Sequence, residues 1–241
     1  MPGAAAGRVL STPDARQRKS YVALIANDTS PTAAPKPVTI TIGASAVAAG
    51  TTGAAVTVTS VTLPIDIRVG QRLEFEHATG RFLFEATENI GAGAQTELTG
   101  IAREGIPADA TCVFPARVGL MLNVDTSETT GTTQFSTFDH QGTSEVARGE
   151  SEQSITSSAG ASYYNAGLET VIYAQRNGLD VSWIIEQPNP DASSFEEPPY
   201  EWGVGVVNDV SSSGGVNDKL QRSLGISVKG GIQYTPPVKA A

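Results

Sequence analysis

The chain has 241 residues, enough for one large domain or two small ones with a real hydrophobic core. Its formal charge of −9 and pI near 4.7 argue against a surface that holds nucleic acid by neutralising phosphates. The single cysteine, Cys112, excludes an intrachain disulfide framework and a cysteine-built zinc site, and its neighbours Val113 and Phe114 predict a buried, inert thiol.

Residues 1–19 are small, polar and basic, and read as a flexible N-terminal arm. They hold no apolar core of the kind a secretory signal needs, so none is expected, and nowhere does the chain reach the roughly 18 consecutive apolar residues of a membrane span. Ser20 to Ala26 (SYVALIA) is apolar on both parities, which predicts a strand buried on both faces. Asn27 to Pro37 holds three prolines and reads as a linker. From Val38 to Phe114 the character changes. Short strand patterns (VTITI, AVTVTSV, RLEFE, RFLFEA, QTELT, TCVF) alternate with Gly-rich turns and predict a small β-barrel or sandwich. Residues 38–114 are therefore expected to form a β domain inserted into a main fold made of 20–37 and 115–241. The insert carries a weak duplication: IRVGQRLEF from Ile67 to Phe75 and IPADATCVF from Ile106 to Phe114, one supersecondary unit used twice.

Arg117 to Thr126 alternates cleanly, with Val118, Leu120, Leu122 and Val124 on one parity, and is expected to pair with the first strand. Ser127 to Gly142 is polar, with Phe135 and Phe138 as its only apolar anchors. Its length predicts a loop that orders against something else. Thr143 to Ser158 reads as a polar strand with one bulge at Gly149. A helix is predicted over Tyr163 to Arg176, with Tyr164, Leu168, Val171, Ile172 and Gln175 on its buried stripe, Ser162 as N-cap and Asn177-Gly178 as its stop. Asp180 to Gln187 is a strand with Val181, Trp183 and Ile185 on one face, and Pro188 to Pro199 a proline-rich excursion. Glu201 to Ser212 alternates with Trp202, Val204, Val206 and Val210 inward.

The closing run, Lys219 to Tyr234, puts Leu220, Leu224, Ile226, Val228, Ile232 and Tyr234 on one parity. It is two to three times the usual strand of about 5–6 residues, and would span about 50 Å. A lone domain seldom needs so long a two-faced strand, whereas a sheet continued into neighbouring copies does. The fold class expected is mainly β: a β-sandwich or tube-forming barrel with one flanking α-helix, plus the small inserted β-barrel-like domain.

No catalytic constellation stands out. His77 and His140 fall in different parts of the chain, and Asp139-His140 reads as a polar loop pair without a nucleophile elbow. Glu150 and Glu152 have no histidine or cysteine beside them to complete a metal site. Gly203-Val204-Gly205 lies in a strand pattern with no helix after it, which removes the context of a dinucleotide site. The chain is read as a non-enzyme, with no catalytic residue, cofactor or metal.

The order of elements resembles the tail tube (major tail) proteins of long-tailed bacteriophages. The resemblance runs over residues 20–30 and 116–234: a buried first strand, LMLNVDTSETTGTT, the polar strand TSEVARGESEQSIT, one helix, GLDVSWII, and the pair EWGVGVVNDVSSSGGVNDKLQRSLGISVKGGI. It implies copies that close into hexameric rings and stack into a hollow tube conducting DNA during ejection. The implied partners are further copies of the chain and other tail proteins, with DNA only in passage and no membrane; the implied location is the virion tail, assembled in the host bacterial cytoplasm. In such proteins a loop after an early strand reaches the adjacent ring. Here that role falls to Ser127–Gly142, with Phe135, Phe138 and Asp139 as contacts. Duplex DNA carries one negative charge per about 1.7 Å, so a basic wall would hold it. Glu145, Glu150, Glu152 and Asp209 are accordingly expected to line the lumen, with the insert outside the tube. The alternative is a β-sandwich binding or decoration module, adhesin-like, holding sugars on exposed aromatics. The chain is only 6% aromatic, mostly in patterns that face a core, which disfavours it.

Overall fold

The computed structural model describes residues 18–50, 53–119, 121–136, 144–160, 165–189, 195–213 and 221–239. Its strands are β1 (Lys19–Leu24), β2 (Val38–Thr41), β3 (Ala54–Leu63), β4 (Arg72–His77), β5 (Gly80–Ala86), β6 (Gly93–Ala102), β7 (Thr111–Phe114), β8 (Ala116–Arg117), β9 (Met121–Ser136), β10 (Ser144–Gly160), β11 (Asp180–Glu186), β12 (Phe195–Glu197), β13 (Tyr200–Ser213), β14 (Gln221–Thr235) and β15 (Val238–Lys239). The helix, α1, spans Ala166–Asn177. The protein is thus mainly β with one helix, as its patterning predicts.

Seven strands form one antiparallel sheet in the order β8-β1-β11-β13-β14-β10-β9. Six form a second, in the order β2-β7-β4-β5-β6-β3, and β12 pairs with β15 alone. The six-stranded sheet takes all its strands from residues 38–114, and a bridge from Ile42 to Val58 brings its last strand back to its first. It is a nearly closed barrel filled by Phe75, Phe84, Phe114, Leu73, Leu98 and Ile106. The rings of Phe75 and Phe84 meet edge to face at 6.2 Å, the geometry aromatic pairs prefer. Cys112 is buried in this core, and burial pushes its thiol far up from the ordinary value.

The duplication seen in the sequence is a duplication of structure. Ile67 bridges Ile90 and Ile106 bridges Val47. Three residues after each of the repeated isoleucines the backbone turns left-handed, at Gly70 (φ 83°) and Asp109 (φ 60°). The Gly70 amide then donates to Ala86 O at 2.9 Å and the Asp109 amide to Ile42 O at 3.2 Å. Exchanging β2, β3 and β4 for β5, β6 and β7 reproduces the same circular strand order, so the barrel is built from two β-β-β units.

In the seven-stranded sheet, β1 and β11 are buried on both faces, as SYVALIA predicts. One face carries Val22, Leu24, Val181, Trp183 and Ile185 against Leu168, Val171, Ile172 and Ala174 of α1. The other carries Tyr21, Ile184, Tyr200 and Trp202 beneath Ala34 of the linker. The helix starts three residues later than the periodicity predicts: Asn165 is the N-cap, its side chain accepting from the Leu168 amide, and Ser162 and Tyr164 lie outside the described residues. Gly178 ends it in the left-handed conformation, as expected. Gln175 is exposed, not part of the buried stripe.

Four other expectations are corrected. Arg117 to Thr126 is not one strand beside β1. Only β8 pairs there, through Tyr21–Arg117 and Val22–Ala116, because the buried side chain of Asn165 binds both N–H and C=O of Gly119 and stops the ladder. The polar stretch after Ser127 is strand as far as Ser136, not loop; Thr and Ser extend readily when a partner strand lies alongside. On β13 the apolar parity changes part-way: Val207, not Val206, joins the helix-side core. At the far end of β14, Tyr234 is 62% exposed instead of inward, beyond a kink at Gly230 and Gly231, both with positive φ.

Candidate assembly surface

The strands β13, β14, β10 and β9 make a four-stranded ribbon that extends past the rest of the sheet. Partnering explains its shape. Strand β11 pairs with β13 only from Tyr200 to Val206, whereas β14 pairs with β13 as far as Ser213. Among the described residues, Val207–Ser213 therefore has a strand on one side and none on the other. At the ribbon's opposite margin β9 pairs, among the described residues, with β10 alone, over nearly all of its 16 residues. The ribbon has two open edges, each a row of backbone N–H and C=O groups able to accept another strand.

The two faces of the ribbon differ in chemistry. Register puts Ile155 across from Ile226 and Val210 across from Leu224, on the side of α1 and its core. On the opposite side Ser154 faces Ser227, Thr156 faces both Gly225 and Asp125, and Glu152 faces Thr129. The Ser127 and Ser154 hydroxyls lie 2.8 Å apart, and the Asn208 amide donates to the Ser227 hydroxyl at 2.9 Å. This face is paved with small polar side chains. Asp209, opposite Gly225 and exposed, shares it because the ladder slips by one residue between Val207 and Asp209. Without that bulge Asp209 would point to the core side.

Lys229 belongs to the same face, but its charge is spent. Its Nζ donates to Asp180 Oδ2 at 2.8 Å and to Asp28 Oδ1 at 3.3 Å. The buried Asp180 carboxylate also accepts the Asp28 amide at 3.0 Å. The hydrogen bond to Asp180, with Asp28 adding to it, raises the Lys229 pKa above its usual range. The cluster binds β14 to the linker that leads into the barrel.

Before Ser154, β10 leaves the β14 ladder, its last tie being the Gln153 side chain, whose Oε1 accepts the Ile232 amide at 2.7 Å; among the described residues Thr129–Ser136 and Ser144–Glu152 then pair only with each other, as a two-stranded arm. At roughly 3.3 Å per residue it reaches about 25 Å. A lone hairpin is marginal in water, and this one needs a surface to lie on. Its register slips between Arg148 and Ser151, spanning the bulge expected at Gly149.

The site residues read from the sequence separate as follows. Phe135 lies in β9, not in a loop, and pairs with Glu145 of β10. Phe138 and Asp139 lie outside the described residues. Glu150 falls within the slip between Arg148 and Ser151. Glu152 and Asp209 are exposed on the polar face. Sequence reasoning missed the second open edge on β13 and the cluster at Lys229. The bulge that turns Asp209 to the polar face had a signal: the Val206-Val207 doublet before Asn208 breaks strict alternation. Asp28, Asp180 and Lys229 lie too far apart in the chain to signal each other.

No family model matches the sequence, and no curated protein matches it. Solved structures it is similar to include virion and tail chains. One is a chain of the virion of a native gene transfer agent particle, 15% identical with a TM-score of 0.38, covering 49% of this chain and 86% of that one. Another comes from the tail of an empty gene transfer agent particle, with the same identity and TM-score, covering 49% and 84%. A third is the SPP1 tail tube, at 16% and 0.37, covering 47% and 64%. At that depth the likeness carries no weight, and the reading that follows is built on the chain's own strand edges.

Proposed function

We propose that this chain is a structural subunit of a tail tube, joined to copies of itself through the ribbon's two open edges. One observation carries the reading: the edges are complementary. Neighbours in the ribbon alternate in direction, so β9 runs opposite to β13. Setting β9 of one copy beside Val207–Ser213 of the next continues the antiparallel order with no strand reversed. Such a head-to-tail contact closes into a ring when the rotation per copy divides a full turn, and a closed ring leaves no edge exposed.

In the ring, four strands from each copy form a continuous wall whose polar face, paved by Ser127, Ser154, Thr156 and Ser227, looks inward. Glu152 and Asp209 line the lumen from that face, and Glu145 and Glu150 continue it along the arm. With Lys229 held by Asp28 and Asp180, such a wall repels DNA in passage and does not bind it. The arm, with Phe135 and the Phe138-Asp139 segment at its end, rests on the next ring of the stack. The division into an arm (1–19), a tube domain (20–37 and 115–241) and an inserted barrel (38–114) belongs to this reading. So do rings of six copies, contacts with other tail proteins, the absence of catalysis and assembly in the bacterial cytoplasm before incorporation into a virion.

The test uses a pair of prolines. Successive N–H groups of a strand point to opposite sides, so of Ser211→Pro and Ser212→Pro one removes a ladder bond to β14 and the other only a donor of the open edge. Electron microscopy of the purified full chain is expected to show rings or tubes. The proline variant that keeps the thermal stability of the parent should show none. Dispersed parent molecules at high concentration, or tubes from both variants, would defeat the reading.

A further inference from the structure

The two repeats of the barrel share a backbone but not a surface. Following the left-handed residue, the first repeat reads Gln71, Arg72, Leu73, Glu74 and the second Ala110, Thr111, Cys112, Val113. The inward positions correspond, Leu73 with Cys112 and Phe75 with Phe114, all buried. What differs faces the seven-stranded sheet.

Gln71 is fully buried, which a primary amide tolerates only when its polar atoms are satisfied. Its Oε1 accepts the Leu24 amide at 2.8 Å, and its Nε2 donates to Thr170 Oγ1 and to Arg72 O, both at 3.0 Å. The Leu24 amide lies on the outer edge of β1, where β8 covers only Tyr21 and Val22. Gln71 therefore does for Leu24 what a further strand would have done. Around it, Arg72 pairs with Glu169 of α1 at 2.9 Å and with Glu85 at 3.1 Å. Glu74 Oε2 receives the Ala166 amide at the start of the helix at 3.4 Å. Gly70 has no Cβ because one there would lie 2.2 Å from Cζ of Tyr173 on α1. None of these contacts has a counterpart in the second repeat, where Ala110 replaces Gln71.

We propose that the inserted barrel is a seal: through Gln71 it closes the outer edge of β1 and so confines the joining of copies to the β9 and β13 edges. Among the described residues, three stretches of the seven-stranded sheet could accept a neighbour's strand: β9, the second half of β13, and β1 beyond the two residues that β8 covers. A ring needs two of them, and a third open edge would branch the assembly or start aggregates. Every strand of the barrel has a neighbour on each side for at least part of its length. The second half of this inference rests on the assembly proposed above, and the first half does not.

The test is Gln71→Leu in the full chain, which keeps the buried volume close to the parent's but leaves the Leu24 amide without an acceptor. Amide exchange at Leu24 is expected to speed up by about tenfold or more. Exchange at Ala23, whose N–H points the other way into β11, should not change. Light scattering and electron microscopy should show a larger share of branched or irregular aggregates. Thr170→Val, which removes the hydroxyl that accepts from Gln71 Nε2 at 3.0 Å and from the Arg72 amide at 3.4 Å, should give the same pattern in weaker form and serves if the first variant folds poorly. Unchanged exchange at Leu24 in both variants overturns the seal. Faster exchange there with no change in aggregation overturns its role in assembly. A parent chain that never forms rings counts against the tube, while the Leu24 amide still decides whether the barrel closes this edge.

Discussion

In the six-stranded sheet the last strand returns to the first through Ile42 and Val58, and every strand has two neighbours. In the seven-stranded sheet the ribbon stops at β9 on one margin and at the second half of β13 on the other. The closed unit places its large side chains inside, with Phe75, Phe84 and Phe114 at its centre. The open unit divides its apolar residues between a core near α1 and a polar ribbon with little to bury. One chain thus holds a self-sufficient fold beside an incomplete one. In the assembly proposed above, copies meet through the ribbon and not through the barrel.

The comparison can be broken most severely inside the barrel. Phe84→Ala removes a ring packed on Phe75, and truncating a buried Phe typically costs about 3–5 kcal/mol. Because the barrel seals β1, exchange at Leu24 should rise along with exchange in β4 and β5, whereas β10 amides paired to β14 should stay protected. A uniform loss of protection across both sheets would show that the two units unfold as one. Next in size is Gly70→Ala, which places a side chain at φ 83° and into the ring of Tyr173. Residues held in such backbone regions cost about 1–3 kcal/mol, and thermal denaturation should show a loss in that range. The mirror experiment is Asp109→Gly at the equivalent turn of the second repeat, exposed and facing no helix. It should be neutral or stabilising by about 0.5 kcal/mol. Equal losses at both turns would contradict the assignment of Gly70 to docking.

The two units also differed in how much of them the sequence showed. In the barrel every strand pattern became a strand, because each alternates against one enclosed core, and IRVGQRLEF with IPADATCVF marked its two halves. In the ribbon the pattern failed where both faces are polar. Ser127 to Ser136 gives no alternation, so this part of β9 read as a loop although the strand is among the longest described. Its extension is set by β10 alongside, a partner that local periodicity does not register. On β13 the Val206-Val207 doublet was smoothed into one continuous parity, which left Asp209 on the right face but its cause unseen. Glu152 and Asp209 were legible as exposed carboxylates. Gln71 was not, since a glutamine in RVGQRLEF looks like surface until its partners Leu24 and Thr170 arrive from 47 and 99 residues away.

The smallest expected effect lies at the joint between the two units, and its sign depends on pH. Burial raises the Glu74 carboxyl above its ordinary value, against the opposing pull of the Ala166 amide and of Arg81 at 3.0 Å. A carboxyl whose folded pKa is raised favours folding in its protonated form; that contribution is complete below the ordinary pKa of 4.5 and is lost as pH climbs through the folded value. At neutral pH the ionised side chain is therefore a small burden on the joint, even though it is paired. Glu74→Gln keeps an acceptor for Ala166 and Arg81 and removes the burden. It should match or slightly exceed the parent in melting temperature at pH 7, and the difference should vanish below pH 4.5. A variant several degrees less stable at pH 7 would mean that the ion pair with Arg81 outweighs burial. The ion pair between β4 and β5 would then outweigh the burial of Glu74, and the difference from the parent should shrink with salt.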